Sequence, residues 1–151
     1  MSSDTDLVKL YSGKILQLAG NVGMTERLSD PQVTVRKRSP LCGSTVTIDV
    51  DMEDGHVARF GQDVKACALG QASAAVLGDV VVGLGKDDIT RGRDQLRAML
   101  KSNGPVPEAP FDGLEALSPA ADFKNRHASI LLAFDATVEA LQQAEDSKST
   151  G

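Results

Sequence analysis

The sequence predicts an α+β fold in which helices pack on one face of a three-stranded antiparallel sheet. Two segments, QVTVRKR and TVTIDVDM, alternate apolar and polar residues, as strands with one buried face do. The hairpin signal Glu53-Asp54-Gly55 then turns the chain back into a third strand over residues 56–64. The sequence after this strand is helical in composition, and such segregation of strands and helices is typical of α+β proteins.

The helices follow from apolar spacing and from breaker residues. An N-terminal helix that ends at Gly20 is predicted by apolar residues at helical spacing, namely Leu7, Leu10, Tyr11, Ile15 and Leu18. Further helices are predicted over residues 67–82 and 87–101, with a short helical turn over 111–117. The last helix is predicted from Asp122 to about Ala144. We expect a single domain over residues 1–142 and a disordered tail over 143–151.

The bulk composition excludes several classes of function. The chain has 151 residues and a net charge of −5, so an extended basic surface for nucleic acid is not expected. No apolar run approaches the length of about 18 residues that a membrane span requires, and the N-terminus has no signal-peptide pattern. We therefore expect a cytoplasmic protein without a membrane or nucleic-acid partner. The acidic run Asp49, Asp51, Glu53 and Asp54 is interpreted as a solvated face.

Two cysteines are the main candidates for chemistry. Cys42 lies in a Pro-Leu-Cys-Gly turn between two strands, where a tight loop presents a side chain outward. Cys67 stands at a predicted helix start, where free N–H groups and nearby Lys65 favour a thiolate. The alternatives are an incidental turn cysteine and a small core residue, respectively. A hairpin separates the two, so they can meet at one sheet edge, although there is no CxxC pair.

His127 is the candidate third ligand. It lies near the start of the last helix, where a histidine is more often a surface residue. With two thiolates it would complete a Cys₂His set, which suits zinc or iron with an open fourth position. His56 lies in the hairpin turn and is expected to be solvated. No catalytic triad or paired-carboxylate arrangement stands out, so an enzyme is not expected.

Three segments resemble the NifU/IscU/SufU-type iron–sulfur cluster assembly scaffolds. SPLCGSTVTIDVDMEDGHVARF is similar to the family's Asn-Pro-x-Cys-Gly-Asp strand–turn–strand, and VKACALGQASAAVL to the segment that opens its long helix. FDGLEALSPAADFKNRHASILLAFDATVEAL is similar to its final segment, which carries a third cysteine. The resemblance implies a NifU/IscU-like fold with ligands at one end. It also implies that Cys42 and Cys67 bind an Fe–S cluster, iron or zinc, or accept sulfur from a cysteine desulfurase.

The chain departs from the family at the other ligand positions. Ser44 stands where the family has an aspartate. The third cysteine falls on Ser129 in an ungapped alignment from the helix end, or on Ala128 if His127 is matched to the family's histidine. Because a [2Fe–2S] cluster wants about four protein donors, these losses should weaken cluster or zinc binding.

Three functional hypotheses follow. The first is a scaffold-like protein with a site at Cys42, Cys67 and His127, partnered by a cysteine desulfurase and other assembly proteins. The second is a degenerate paralogue that binds partners without assembling clusters. A dithiol switch between the two cysteines ranks last and would need Cα atoms within about 7 Å. We expect a monomer or a weak homodimer.

Overall fold

The protein forms one sheet followed by a group of helices. The computed structural model describes residues 13–40 and 43–150, with side chains through residue 146. Helix α1 (Gly13–Ala19) precedes strands β1 (Val33–Arg38), β2 (Thr45–Glu53) and β3 (His56–Lys65); helices α2 (Ala68–Val80), α3 (Lys86–Ser102), a 3₁₀ helix (Asp112–Asp122) and α4 (Lys124–Thr150) complete the chain. The predicted residues of the N-terminal helix before Gly13 lie outside the described part.

The sheet has the order β1-β2-β3 with both pairs antiparallel, which confirms the predicted topology. The β2–β3 connection is the two-residue turn Asp54-Gly55, with φ angles of 54° and 80°. Two successive positive φ angles match the right-handed twist of the flanking strands, and glycine adopts them without steric cost. This turn sets the register that pairs Glu53 with His56, and an irregularity between Asp51 and Met52 then shifts it by one residue, so that Val50 pairs with Phe60.

The core lies between one face of the sheet and the helices. The inward face carries Val35, Ile48 and Val50, all nearly inaccessible to solvent. Helix α4 packs on β1 and β2, while α2 packs on β3 and on α4. Helices on one face of an antiparallel sheet confirm the predicted α+β class. Aliphatic and alanine side chains dominate this core, and the aromatic contribution includes the edge-to-face pair Phe111–Phe134, with ring centroids 5.3 Å apart.

On the opposite face of the sheet, the interpretation of the acidic run as solvated was wrong for one residue. Asp49 is not solvated: it is 0% exposed and lies beneath the segment of residues 20–31. Its carboxylate accepts hydrogen bonds from Arg27 Nε at 2.6 Å, the Leu28 amide at 3.0 Å and the Thr34 hydroxyl at 2.6 Å. Burial raises the pKa of Asp49, but these hydrogen bonds outweigh it and hold the pKa below its ordinary value. The carboxylate thus fastens the segment to the sheet.

The C-terminal helix continues further than predicted. Helix α4 runs to Thr150, beyond the predicted end near Ala144. Ala144 is buried, and Glu145 forms an ion pair with Lys86 at 3.0 Å, so the first residues of the predicted disordered tail pack against the body of the protein. The physical reason is that residues 142–148 contain several good helix formers and no glycine or proline. Within the described residues, no helix has both the length and the apolar character needed to cross a membrane.

Candidate functional site

Cys67 occupies the N-cap position of α2, directly after β3. Its backbone is extended (φ −67°, ψ 171°), and its carbonyl accepts the first helical hydrogen bond from Gln71 at 2.9 Å. The side chain makes no capping hydrogen bond, so the sulfur is not tied to the helix amides. Instead it is half-buried and faces α4. The predicted helix start is thus confirmed within one residue.

A chain of two serine hydroxyls leads away from the sulfur of Cys67. Ser129 Oγ, on the second turn of α4, lies 3.6 Å from Cys67 Sγ. Ser44 Oγ, just before β2, lies 3.1 Å from Ser129 Oγ. Ser129 is 1% exposed and Ser44 is 5% exposed. The structure therefore brings together Cys67 and the two serines that the resemblance assigned to lost ligand positions.

Gly70 makes this convergence possible. It lies on the first turn of α2, and a Cβ atom there would come within 2.8 Å of Ser129 Oγ and 3.1 Å of the Ser129 carbonyl oxygen. Carbon atoms normally approach neighbours to about 3.5–4.0 Å. Only glycine therefore allows α4 to cross α2 closely enough for Ser129 to reach Cys67.

The turn between β1 and β2 is closed by backbone hydrogen bonds on both sides. The Ser39 amide donates to the Ser44 carbonyl at 2.8 Å, and the Gly43 amide donates to the Ser39 carbonyl at 2.9 Å. Gly43 has a φ of +72°, a conformation that favours glycine. Cys42 lies within this turn but outside the described residues, so its predicted role stays a prediction, as does the dithiol switch.

His127 has a different environment. It is 2% exposed, and Nε2 lies 2.9 Å from the Ala120 carbonyl oxygen. A carbonyl only accepts, so Nε2 carries the proton, and Nδ1 has no hydrogen-bond partner among the residues that the structure describes. Histidine ligands of metals commonly show this arrangement, with the second ring nitrogen donating to a carbonyl. However, His127 and Ser129 are two residues apart on α4, and their side chains leave the helix in different directions.

No complete metal centre is formed by the part of the chain that the structure describes. Within those residues, no three His, Cys, Asp or Glu side chains lie close enough to hold a metal ion. His56, predicted to be solvated, is exposed in the hairpin, with Nδ1 2.9 Å from the Asp54 carbonyl oxygen. The described donors around Cys67 are thus one thiol and two hydroxyls.

This donor set can bind a metal ion only weakly. A sulfur and an oxygen ligand of one tetrahedral zinc ion, at about 2.3 and 2.1 Å, lie roughly 3.6 Å apart. The 3.6 Å between Cys67 Sγ and Ser129 Oγ therefore fits a shared metal as well as a hydrogen bond. A neutral hydroxyl is nevertheless a much poorer ligand than a thiolate or carboxylate. The described donors around Cys67 are by themselves too few and too weak for a fully ligated cluster.

Three features of the structure were not predicted from the sequence. The hydrogen bond between Ser44 and Ser129 joins residues far apart in the chain, and periodicity carries no signal for it. The role of Gly70 had a signal, because glycine in a helix's first turn is disfavoured and suggests a packing reason. The buried clamp on Asp49 was missed because strand alternation indicates which face a residue occupies and not what covers that face.

The chain is similar to several known proteins. A nitrogen-fixing NifU-like protein (N-terminal part) from Brucella abortus is 42% identical, with a TM-score of 0.90 over 93% of this chain and 98% of that structure. The iron–sulfur cluster assembly scaffold protein IscU of Thermotoga maritima is 23% identical over 89% of this chain and 94% of its own length. IscU of Streptococcus pyogenes is 21% identical over 76% of this chain and 72% of its own length. No protein-family model matches the chain.

The structural relative at 42% identity covers nearly the whole chain, and the fold agrees throughout that length. The sequence segments that carried the resemblance include Cys67, Ser44 and Ser129, which the fold places in contact. The chain belongs to the NifU/IscU/SufU-type family of iron–sulfur cluster assembly scaffolds.

Proposed function

We propose that this chain acts in iron–sulfur cluster assembly as a scaffold-like protein that accepts sulfur and binds iron or zinc weakly. Cys67 and Cys42 are the proposed acceptors and ligands, and His127 is the proposed third ligand through Nδ1. The observation that carries the proposal is the contact of Cys67 with Ser129, whose hydroxyl is in turn hydrogen-bonded to Ser44. It supports a site that has kept its location while two strong ligands are replaced by hydroxyls.

Sulfur acceptance needs only one thiolate. The Cys67 thiolate would attack the outer sulfur of a donor cysteine persulfide, such as a cysteine desulfurase carries. A new S–S bond forms on Cys67, the donor's S–S bond breaks, and its electron pair leaves with the donor thiolate. Ser129 can donate a hydrogen bond to the Cys67 sulfur in its anionic form, while Ser44 donates to Ser129. Reduced thiols need a reducing compartment, so the proposal includes the predicted cytoplasm.

Binding of a complete cluster is less favoured at this site than sulfur acceptance. A [2Fe–2S] cluster takes about four protein donors. Cys42 and Cys67 would supply two, and His127 a third. Iron, zinc or a nascent cluster is therefore cargo that the chain would bind with incomplete protein ligation, aided by a partner or an added thiol.

The experiment is anaerobic loading followed by mass spectrometry of the intact protein. Wild type, Cys67→Ser and Cys42→Ser are each incubated with a cysteine desulfurase and cysteine, and then with zinc. We expect the mass of one or more added sulfur atoms in wild type and its loss in Cys67→Ser. Wild type that acquires neither sulfur nor metal would contradict the proposal.

A partner-binding protein without cargo is the second candidate. The hydrogen bond between Ser44 and Ser129 favours it, because it satisfies both hydroxyls without a metal. This function predicts that a desulfurase binds the double variant Cys42→Ser/Cys67→Ser as tightly as wild type, while wild type carries no sulfur. Sulfur transfer to wild type would exclude it.

A further inference from the structure

Three exposed cations lie on the outer face of the sheet beside the site. Arg38, Thr45 and Lys65 are aligned across β1, β2 and β3, and Arg36 lies two residues along β1 on the same face. All three cations are exposed. We call Arg36, Arg38 and Lys65 the basic site-end patch.

Other cations on or beside the sheet form ion pairs with carboxylates. Arg27 binds Asp49, Lys37 lies 3.5 Å from Glu139, and Arg59 pairs with Asp51. Within the described residues, no member of the basic site-end patch has a carboxylate within 4.0 Å. Their charge is therefore presented to solvent, in a chain whose net charge is −5.

The patch occupies the half of that face whose charged side chains are exposed. Further along the strands, residues 20–31 cover the sheet so closely that a Cβ on Gly61 would lie 2.4 Å from the Glu26 carbonyl oxygen. Asp63, the nearby carboxylate on this face, is half-buried and acts on Arg27, whose pKa it helps to raise after the larger effect of Asp49. Asp63 thus offsets the patch only in part.

The patch adjoins the candidate site in the chain and in space. Lys65 precedes Cys67 by two residues, and Thr45 directly follows Ser44, whose hydroxyl contacts Ser129. A macromolecule seated on the patch would therefore lie at the end of the sheet that carries Ser44 and Cys67. Local positive charge on an acidic protein also orients an acidic partner, since the rest of the surface repels it.

We propose that the basic site-end patch is the docking surface for the protein that donates sulfur to Cys67, and that this donor presents carboxylates to it. The inference rests on the proposed function and adds the surface and charge by which the donor is recognised. A nucleic acid is disfavoured because phosphate binding wants a more extended basic face than three side chains provide.

The test compares two double variants with the same change in charge. Arg38→Glu/Lys65→Glu alters the patch, while Lys14→Glu/Lys101→Glu alters exposed cations elsewhere. Binding of each to the purified cysteine desulfurase of the same organism is measured by biolayer interferometry at low and high salt. We expect the association rate at low salt to fall about tenfold or more for the patch variant and less than about threefold for the control. The difference should disappear in roughly 0.5 M salt.

Equal losses in both variants, or unchanged binding of the patch variant, would overturn the proposal. So would patch-dependent binding to oligo-dT in place of the desulfurase. Thermal melts verify that each variant is folded. Loading Cys67 from inorganic polysulfide needs no docking, so it should be the same in the patch variant and in wild type. Failure of that reaction in wild type would count against the proposed function, whereas the docking proposal is judged by the binding rates.

Discussion

Asp49 allows a direct test of how the sheet holds the segment of residues 20–31. Asp49→Ala removes the acceptor for the Leu28 amide and the Thr34 hydroxyl, at 3.0 and 2.6 Å. It also removes the partner of Arg27, whose side chain is 53% exposed and can turn to water. Loss of a buried carboxylate with several hydrogen bonds costs about 3–5 kcal/mol, and the exposure of Arg27 reduces this to about 2–3 kcal/mol. We expect a loss of that size in the free energy of unfolding at pH 7.

Urea denaturation measures this loss, with Glu53→Ala, an exposed position on the same strand, as the control. The pKa of folded Asp49 lies below the ordinary value of 3.8, so its stabilising effect is complete above that value and is lost as the pH falls through the folded pKa. The difference between wild type and Asp49→Ala should thus be constant above about pH 5 and shrink in acid. A loss no larger than that of Glu53→Ala, or a difference that grows in acid, would refute the reasoning.

Two further variants test the site. Gly70→Val should cost about 2–3 kcal/mol in urea denaturation and change the alkylation rate of Cys67, because a side chain at this position meets Ser129 at 2.8 Å. Gly113→Val, whose nearest neighbour would be 3.6 Å away, should stay within about 1 kcal/mol of wild type, and equal costs would contradict the crossing argument. His127→Leu removes one of the two hydrogen bonds that the Ala120 carbonyl accepts, which should cost about 1 kcal/mol, and should lower zinc affinity about tenfold or more. Unchanged zinc affinity in a competition titration would remove His127 from the ligand set.

The sheet was predictable from the sequence because its signals are local. Alternation in β1 and β2 and the Asp54-Gly55 turn specify the strands, their direction and the pairing next to the turn within a short stretch of chain. The cap position of Cys67 was also predictable, since the composition changes where β3 ends. These features depend on neighbours in sequence, and elementary propensity describes such neighbours well.

The contacts around the site were not predictable in the same way. Ser44 and Ser129 are brought together by the packing of α4 on β2, which sequence periodicity does not specify. The resemblance identified both residues as replacements for ligands, but only the fold shows that they touch each other and Cys67. Asp49 was predicted to be part of a solvated acidic run because no feature of the adjacent sequence indicates that residues 20–31 cover it.

The central claim is that hydroxyls at the former ligand positions limit this site to sulfur acceptance and weak metal binding. The most direct measurement is zinc affinity, by competition with a chromophoric chelator, for wild type, Ser129→Cys and Ala128→Cys. A four-ligand zinc site provides about 10–16 kcal/mol, so one added thiolate should contribute about 3 kcal/mol, or roughly a hundredfold. We predict that gain in at least one of the two cysteine variants, with Ser129→Cys the stronger because Ser129 faces Cys67 at 3.6 Å. Wild type that already binds zinc as tightly as both variants would contradict the account.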